Sequence, residues 1–259
     1  MGKRLGNFNY GEERLFLASA LIGSIISAMA TVLGAAPIFF IRKLSEKWKD
    51  ILVAFTAGIM VSASTFGLMP QAIEESGIVA LTIGLLLGII VLDLIEKNVP
   101  HIDVENKPLK QSFDSKTLLV LIALFIHNIP EGLSTGFSYA SENEGLGPLV
   151  AISIGAQNIP EGLILAVFLI NSKASKLKSF LIVVLTGLME AVSAVAGYFA
   201  ASYVDSLIGA GLAFAAGAML FISYKELIPE SHGHGYERPS TYSFILGLLM
   251  MLYISYWFG

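Results

Sequence analysis

The sequence predicts an all-α integral membrane protein with eight transmembrane helices, and three observations carry that prediction. Hydrophobic residues make up 55% of the 259, charged residues only 14%, and the mean hydropathy is +0.73, whereas soluble domains are about a quarter charged. Eight apolar runs are each long enough to cross a hydrocarbon core of about 30 Å. They are continuously apolar, which disfavours a β-barrel, whose lumen would place a polar residue at every second position.

The first run, 15–41, exceeds the roughly 7 to 15 residues of a signal-peptide core and reads as a first transmembrane helix. It is rich in small residues, including Ala18, Ser19, Ala20, Gly23, Ser24, Ser27, Ala28, Gly34 and Ala35, which permits close approach and sliding of helices. The second run, 51–71, ends in Met69-Pro70-Gln71, and the third is 77–96. Lys97 to Lys116 resembles an independent loop. The fourth and fifth runs, 117–140 and 147–170, each carry a proline motif at mid-length; the sixth, 179–201, holds Glu190 in the same position. The seventh, 206–230, ends in Glu226-Leu227-Ile228-Pro229-Glu230, and 241–258 completes a single transmembrane domain spanning 1–259.

Basic residues fix the orientation. Arg42, Lys43, Lys47, Lys49, Lys97, Lys107, Lys110, Lys116, Lys173, Lys176, Lys178 and Arg238 fall on one side, against Lys3, Arg4 and Arg14 on the other. The positive-inside rule then places both termini outside the cytoplasm and the 97–116 loop inside. Glu12, Glu13, Glu74, Glu75, Glu142, Glu144 and Asp205 gather on the outer face, either concentrating cations there or forming an ordinary solvated rim. The chain has no cysteine, so any metal must be held by oxygen, imidazole or amide groups.

The chemistry concentrates in a repeat. His127-Asn128-Ile129-Pro130-Glu131-Gly132 returns thirty residues later as Gln157-Asn158-Ile159-Pro160-Glu161-Gly162. Each proline removes a backbone donor and is expected to break one turn, releasing the carbonyls of Ile126 and Ala156. His127 and Glu131 share one helix face, as do Gln157 and Glu161, with Asn128 and Asn158 three residues before the glutamates. The two runs are joined by a short turn and must be antiparallel. The midpoint of His127 and Glu161 falls at position 144, inside that turn, so His127 faces the level of Glu161 and Glu131 that of Gln157.

An ionisable residue at a helix centre costs roughly 2.5 to 3.5 kcal/mol, so Glu131, Glu161 and Glu190 together cost about 7 to 10 kcal/mol without counter-charge. A divalent cation supplies that charge compactly. A second one, bridged by Glu131 and Glu161 with Asn128, Asn158 and Glu190 as further ligands, would supply more. Protonation is the competing remedy, and Lys225 is the other candidate counter-ion. The bland alternative is polar glue between helices, which requires neither prolines nor a repeated acid. Met60 reads as a soft ligand or as packing. Glu226, Glu230, His232 and His234 read as a release path or as a polar helix end, and Glu74 and Glu75 as an uptake path. His101 and Asp103 read as a solvated loop before a weak metal tether.

These motifs, with Glu190, the Glu226 to Glu230 run and the eight-span plan, resemble the ZIP (Zrt-, Irt-like protein) divalent-metal transporters, in particular their compact prokaryotic GufA-like branch. The resemblance covers nearly the whole chain. It implies a metal site with His127, Glu131, Gln157 and Glu161 as primary ligands and Met60 nearby, and a second site using Asn128, Asn158 and Glu190 with the shared glutamates. It also implies a 3 + 2 + 3 arrangement with inverted repeats, a homodimer, and an elevator motion of spans one, four, five and six against two, three, seven and eight.

No Gly-x-x-x-x-Gly-Lys-Ser/Thr loop is present, so the expected driving force is electrochemical. An inside-negative potential of about 100 mV favours inward movement of a divalent ion by about 4.6 kcal/mol. The ligand types suit Zn²⁺ first and tolerate Fe²⁺, Mn²⁺, Co²⁺ and Cd²⁺. The expectation is therefore a multi-pass zinc carrier of the cell membrane that is not an enzyme and has no cofactor or nucleic-acid partner. A metal-selective channel is the alternative. An intramembrane hydrolase is a weaker one, because His-Glu-x-x-His and Gly-x-Ser-x-Gly are both missing from the sequence.

Overall fold

A computed structural model describes residues 10–41, 43–98, 113–171, 174–204 and 207–258. The described residues contain helices and no strand. In chain order they are α1 (Tyr10–Ala35), which runs into a 3-10 turn (Ala36–Phe39), α2 (Glu46–Ser62), a π segment (Ala63–Leu68), α3 (Met69–Asn98), α4 (Phe113–Ala140), α5 (Leu146–Asn171), α6 (Lys176–Tyr203), α7 (Leu207–Ile222), a second π segment (Ser223–Leu227), the short α8 (Ile228–Glu230) and α9 (Glu237–Phe258). Six stretches of these residues are long and apolar enough to cross a membrane.

One of them, Glu46–Lys97, has 52 residues and would be about 78 Å long if straight, more than twice a hydrocarbon core. Gly77 interrupts it with φ 78° and ψ 170°, a conformation costly for any residue with a Cβ. The chain is thereby kinked into two rods. His101 and Asp103 lie outside the described residues.

The prolines at the centres of α4 and α5 do not break them. Pro130 and Pro160 sit inside continuous helices, against the expectation of an interrupted turn, because one missing N–H leaves the rest of the ladder and the neighbouring helices to hold the backbone. Departures from α geometry occur instead ahead of Pro70 and Pro229. There the N–H of Met69 reaches the carbonyl of Ser64, and that of Ile228 reaches Ser223, five residues back. Such a widened turn makes room for the ring that follows.

The molecule is apolar outside and polar within. Ile22, Ile25, Leu33, Val79, Leu181, Leu188 and Val192 are exposed, whereas Ser27, Glu131, Gln157, Asn158 and Glu190 are buried. Tyr203, Tyr224, Tyr256 and Trp257 are exposed near helix ends, as aromatic residues at a membrane interface are.

Lipid supplies no hydrophobic drive between helices, so association depends on close backbone packing. The most extensive pairings are α1 with α5, α4 with α6, α3 with α7 and α2 with α9. Glycines make each of them. A Cβ on Gly34 or Gly162 would overlap the carbonyl of Ile159 or Thr31 between α1 and α5, and one on Gly132 or Gly136 would overlap Glu190 or Ala194 between α4 and α6. Gly88 and Gly217 do the same between α3 and α7, as do Gly58 and Gly247 between α2 and α9. Two sets of helices result: α1, α4, α5 and α6, and α2, α3, α7 and α9.

Candidate metal centre

The two repeated motifs meet in the first set, and each residue has a distinct place. Ile129 and Ile159 point outward and are exposed, Pro130 and Pro160 are buried, and Gly132 and Gly162 abut α6 and α1. That leaves the faces carrying His127 and Glu131, and Gln157 and Glu161, to turn toward each other. His127 Nε2 lies 3.9 Å from Glu161 Oε1, and Gln157 Nε2 donates to Glu131 Oε1, the pairing of depths set by the turn between the helices. One ligand atom each from His127, Glu131 and Glu161 lie within 4.8 Å of one another. Two ligands of a tetrahedral zinc with bonds of about 2.1 Å are roughly 3.4 Å apart, so a cation requires only a modest contraction of these side chains.

The unsatisfied atoms define what the cage can hold. His127 Nε2, Glu131 Oε2, Gln157 Oε1 and Glu161 Oε2 are buried and have no hydrogen-bond partner among the described residues. A buried polar atom left unpaired costs about 1 to 3 kcal/mol, and here four lie together. An imidazole nitrogen, an amide oxygen and two carboxylate oxygens can all offer lone pairs. Such a set accepts a cation and repels an anion.

Beside the cage lies a second network of different character. Ser27 Oγ donates to Glu190 Oε1 at 2.5 Å and Asn158 Nδ2 donates to Glu190 Oε2 at 2.7 Å, while Asn158 Nδ2 also lies 3.4 Å from the Ser27 carbonyl and hydroxyl. Asn128 Nδ2 donates to the Thr186 carbonyl at 2.8 Å. Here the polar groups satisfy one another.

Comparison with known proteins fits this architecture. Residues 97–255 match the family model described as ZIP Zinc transporter. The chain is 35% identical to the Zinc transporter GufA of Myxococcus xanthus over 91% of this chain and 97% of that protein. The chain belongs to the ZIP family. It is also similar to the Zinc transporter ZupT of Clostridium perfringens, at 30% identity over 93% of this chain and 96% of the relative. A third relative is the Zinc transporter ZIPB of Bordetella bronchiseptica, at 28% identity over 94% and 82% respectively.

The remaining candidates of this ZIP chain are spread along it. Met60 is fully buried in the apolar cluster that also holds Ile154 and Leu212. Glu74 is exposed; Glu75 Oε1 accepts from Ser141 Oγ at 2.7 Å and from Gln71 Nε2 at 3.2 Å. Glu226, Glu230 and His232 are exposed at the far end of α7 and α8, with His232 Nδ1 2.9 Å from the Ile228 carbonyl. Lys225 is not the counter-ion of the buried acids. The π segment directs it to α3, where it bonds Glu96 and lies 4.0 Å from Asp93.

Several partners escaped the sequence reading. Ser27 was visible only as one of many small residues, and the motif glycines were seen as part of a repeat without a packing role. Gln71, Glu75, Ser141 and Asn143 join in one network, with Asn143 Nδ2 donating to Gln71 Oε1 at 3.0 Å, which links the turn after α4 to the start of α3. His234 Nδ1 contacts Asp50 Oδ1 at 2.6 Å and its Nε2 contacts Glu46 Oε2 at 3.0 Å. Contacts across more than sixty positions leave no local spacing to read.

Proposed function

We propose that this chain is a secondary transporter that moves divalent transition-metal ions, zinc foremost, across the cell membrane into the cytoplasm without catalysing a reaction. The ion is held by His127, Glu131, Gln157 and Glu161, with Asn128, Asn158 and Glu190 beside the cage and Met60 on the neighbouring wall. The observation that carries the reading is the convergence of four unpartnered buried lone-pair donors in one bundle. Zinc transport is the property in the names of its relatives, and imidazole with carboxylate and amide oxygen suits that ion. Fe²⁺, Mn²⁺, Co²⁺ and Cd²⁺ are accepted less well.

The eight crossings, the 3 + 2 + 3 plan and the elevator motion belong to the same proposal. Exchanging α1 with α6, α4 with α5, α2 with α7 and the latter part of α3 with α9 carries each major helix pairing into another, which supports inverted repeats. Among the described residues, glycines whose Cβ would strike a carbonyl of another helix do so within one of the two sets, whereas Gly211, between α7 and α4, faces only the Phe137 side chain. Two tightly packed bodies with a looser boundary can slide. Acidic Glu74 and Glu75 would receive the ion outside, and Glu226, Glu230 and His232 would release it inside. The termini lie outside, residues 97–116 inside, and the whole of 1–259 acts as one domain within a homodimer.

Purified protein in vesicles tests the reading. Zinc supplied outside should enter with saturable kinetics, and His127→Ala or Glu131→Ala should abolish that uptake while the protein remains folded and inserted. Unchanged uptake in both variants would refute the cage.

A further inference from the structure

We infer that the position beside the cage, around Glu190, is closed by hydrogen bonds, so that the chain carries one divalent ion at a time instead of a bridged pair. The inference rests on the proposed cage and adds its stoichiometry. Three buried carboxylates and two asparagines near one point would otherwise accommodate two ions that share Glu131 and Glu161.

The two halves of the polar centre differ in what their atoms face. In the cage, His127, Glu131, Gln157 and Glu161 each retain an acceptor with no partner among the described residues. Around Glu190, both carboxylate oxygens receive a hydrogen, one from Ser27 on α1 and one from Asn158 on α5. The orientation of the Asn158 amide is forced. Its reverse would set an amide oxygen against a carboxylate oxygen at 2.7 Å, two acceptors in contact without a proton between them. A second ion would have to enter where donor hydrogens already point, and positive hydrogens repel a cation.

The asparagines are also used as fasteners. Asn128 ties α4 to α6 through the Thr186 carbonyl, and Asn158 ties α5 to α1 beside the Ser27 carbonyl. Turning either amide to present its oxygen to an ion would forfeit a buried inter-helix bond. Glu190 is therefore a neutralised strut joining α1, α5 and α6, and Ser27 and Asn158 are the positioning residues that make it so.

Metal counting on the full chain in detergent decides the matter, with Zn²⁺ for elemental analysis and Mn²⁺ for electron paramagnetic resonance. The expected result is one zinc per chain and, at saturation, an uncoupled manganese spectrum. Two manganese ions about 4 Å apart would couple, which a distant surface ion cannot imitate. Asn158→Asp should restore a second ligand oxygen, raising the stoichiometry to two and producing the coupled spectrum. Two ions in the unaltered chain, a coupled spectrum there, or a folded Asn158→Asp chain that still binds one would each overturn the inference. If Asn158→Asp fails to fold, the unaltered chain alone still gives the answer. Loss of the cage reading is separately recognisable, because His127→Ala would then keep its ion.

Discussion

The first motif copy, His127 to Gly132, and the second, Gln157 to Gly162, use one backbone frame for two purposes. In both, isoleucine faces outward, proline sits in a continuous helix, glutamate turns inward and glycine lets a neighbouring carbonyl approach. In both, asparagine reaches a main-chain oxygen one turn before that carbonyl: Thr186 before Glu190 for the first copy, Ser27 before Thr31 for the second. The correspondence ends at side chains. Copy one opens with an imidazole and copy two with an amide. The helix facing copy one contributes the acid Glu190, which leans across to Asn158 of copy two, where the partner helix has only Thr31. Packing fixes the repeat, and a few substitutions within it create an asymmetric centre.

The largest effect should come from the shared frame. Gly132→Ala and Gly162→Ala each place a methyl group on a carbonyl of the facing helix, a form of overpacking that costs about 1 to 3 kcal/mol or more. Both should sharply reduce thermal stability in detergent, and to a similar degree. A copy that tolerates alanine would show that the frame is not held equally at its two ends.

Next come the residues that distinguish the copies. His127→Ala should weaken zinc binding by about 100-fold, or about 2.7 kcal/mol, because imidazole is the best zinc ligand present. Gln157→Ala should cost about tenfold, since it removes an amide oxygen and also frees Glu131 Oε1. Titration of the two variants under the same conditions checks the order, and a larger loss from Gln157→Ala would invert the assignment of roles.

A smaller effect is expected where the two helix sets are bridged by polar contacts. Ser141→Ala removes the donor to Glu75 from the turn between the motif copies, and Ser141 is distant in sequence from both. It should change the rate of zinc uptake severalfold and leave binding affinity intact. Equal rates would mean that the network of Gln71, Glu75, Ser141 and Asn143 does not restrain movement.

Much of this was legible in the chain itself. Apolar run length gave the helical membrane class, and antiparallel arithmetic about position 144 brought His127 to Glu161 and Glu131 to Gln157, because short turns leave no freedom of register. Proline geometry misled: Pro130 and Pro160 were expected to interrupt helices that neighbouring backbones in fact hold continuous, while the irregular turns precede Pro70 and Pro229. Lys225 was read as facing the buried acids, yet a π segment redirects it to Glu96. Ser27 could not be singled out, since its partner Glu190 lies 163 residues away and one serine in a stripe of small residues looks like any other.

The most direct test of the central claim is zinc K-edge X-ray absorption on the purified chain loaded with one equivalent of zinc. The account predicts one imidazole and otherwise oxygen ligands at about 2.0 to 2.2 Å, with the imidazole scattering lost in His127→Ala. An imidazole contribution that survives that substitution, or a shell of oxygen alone in the unaltered protein, would contradict it.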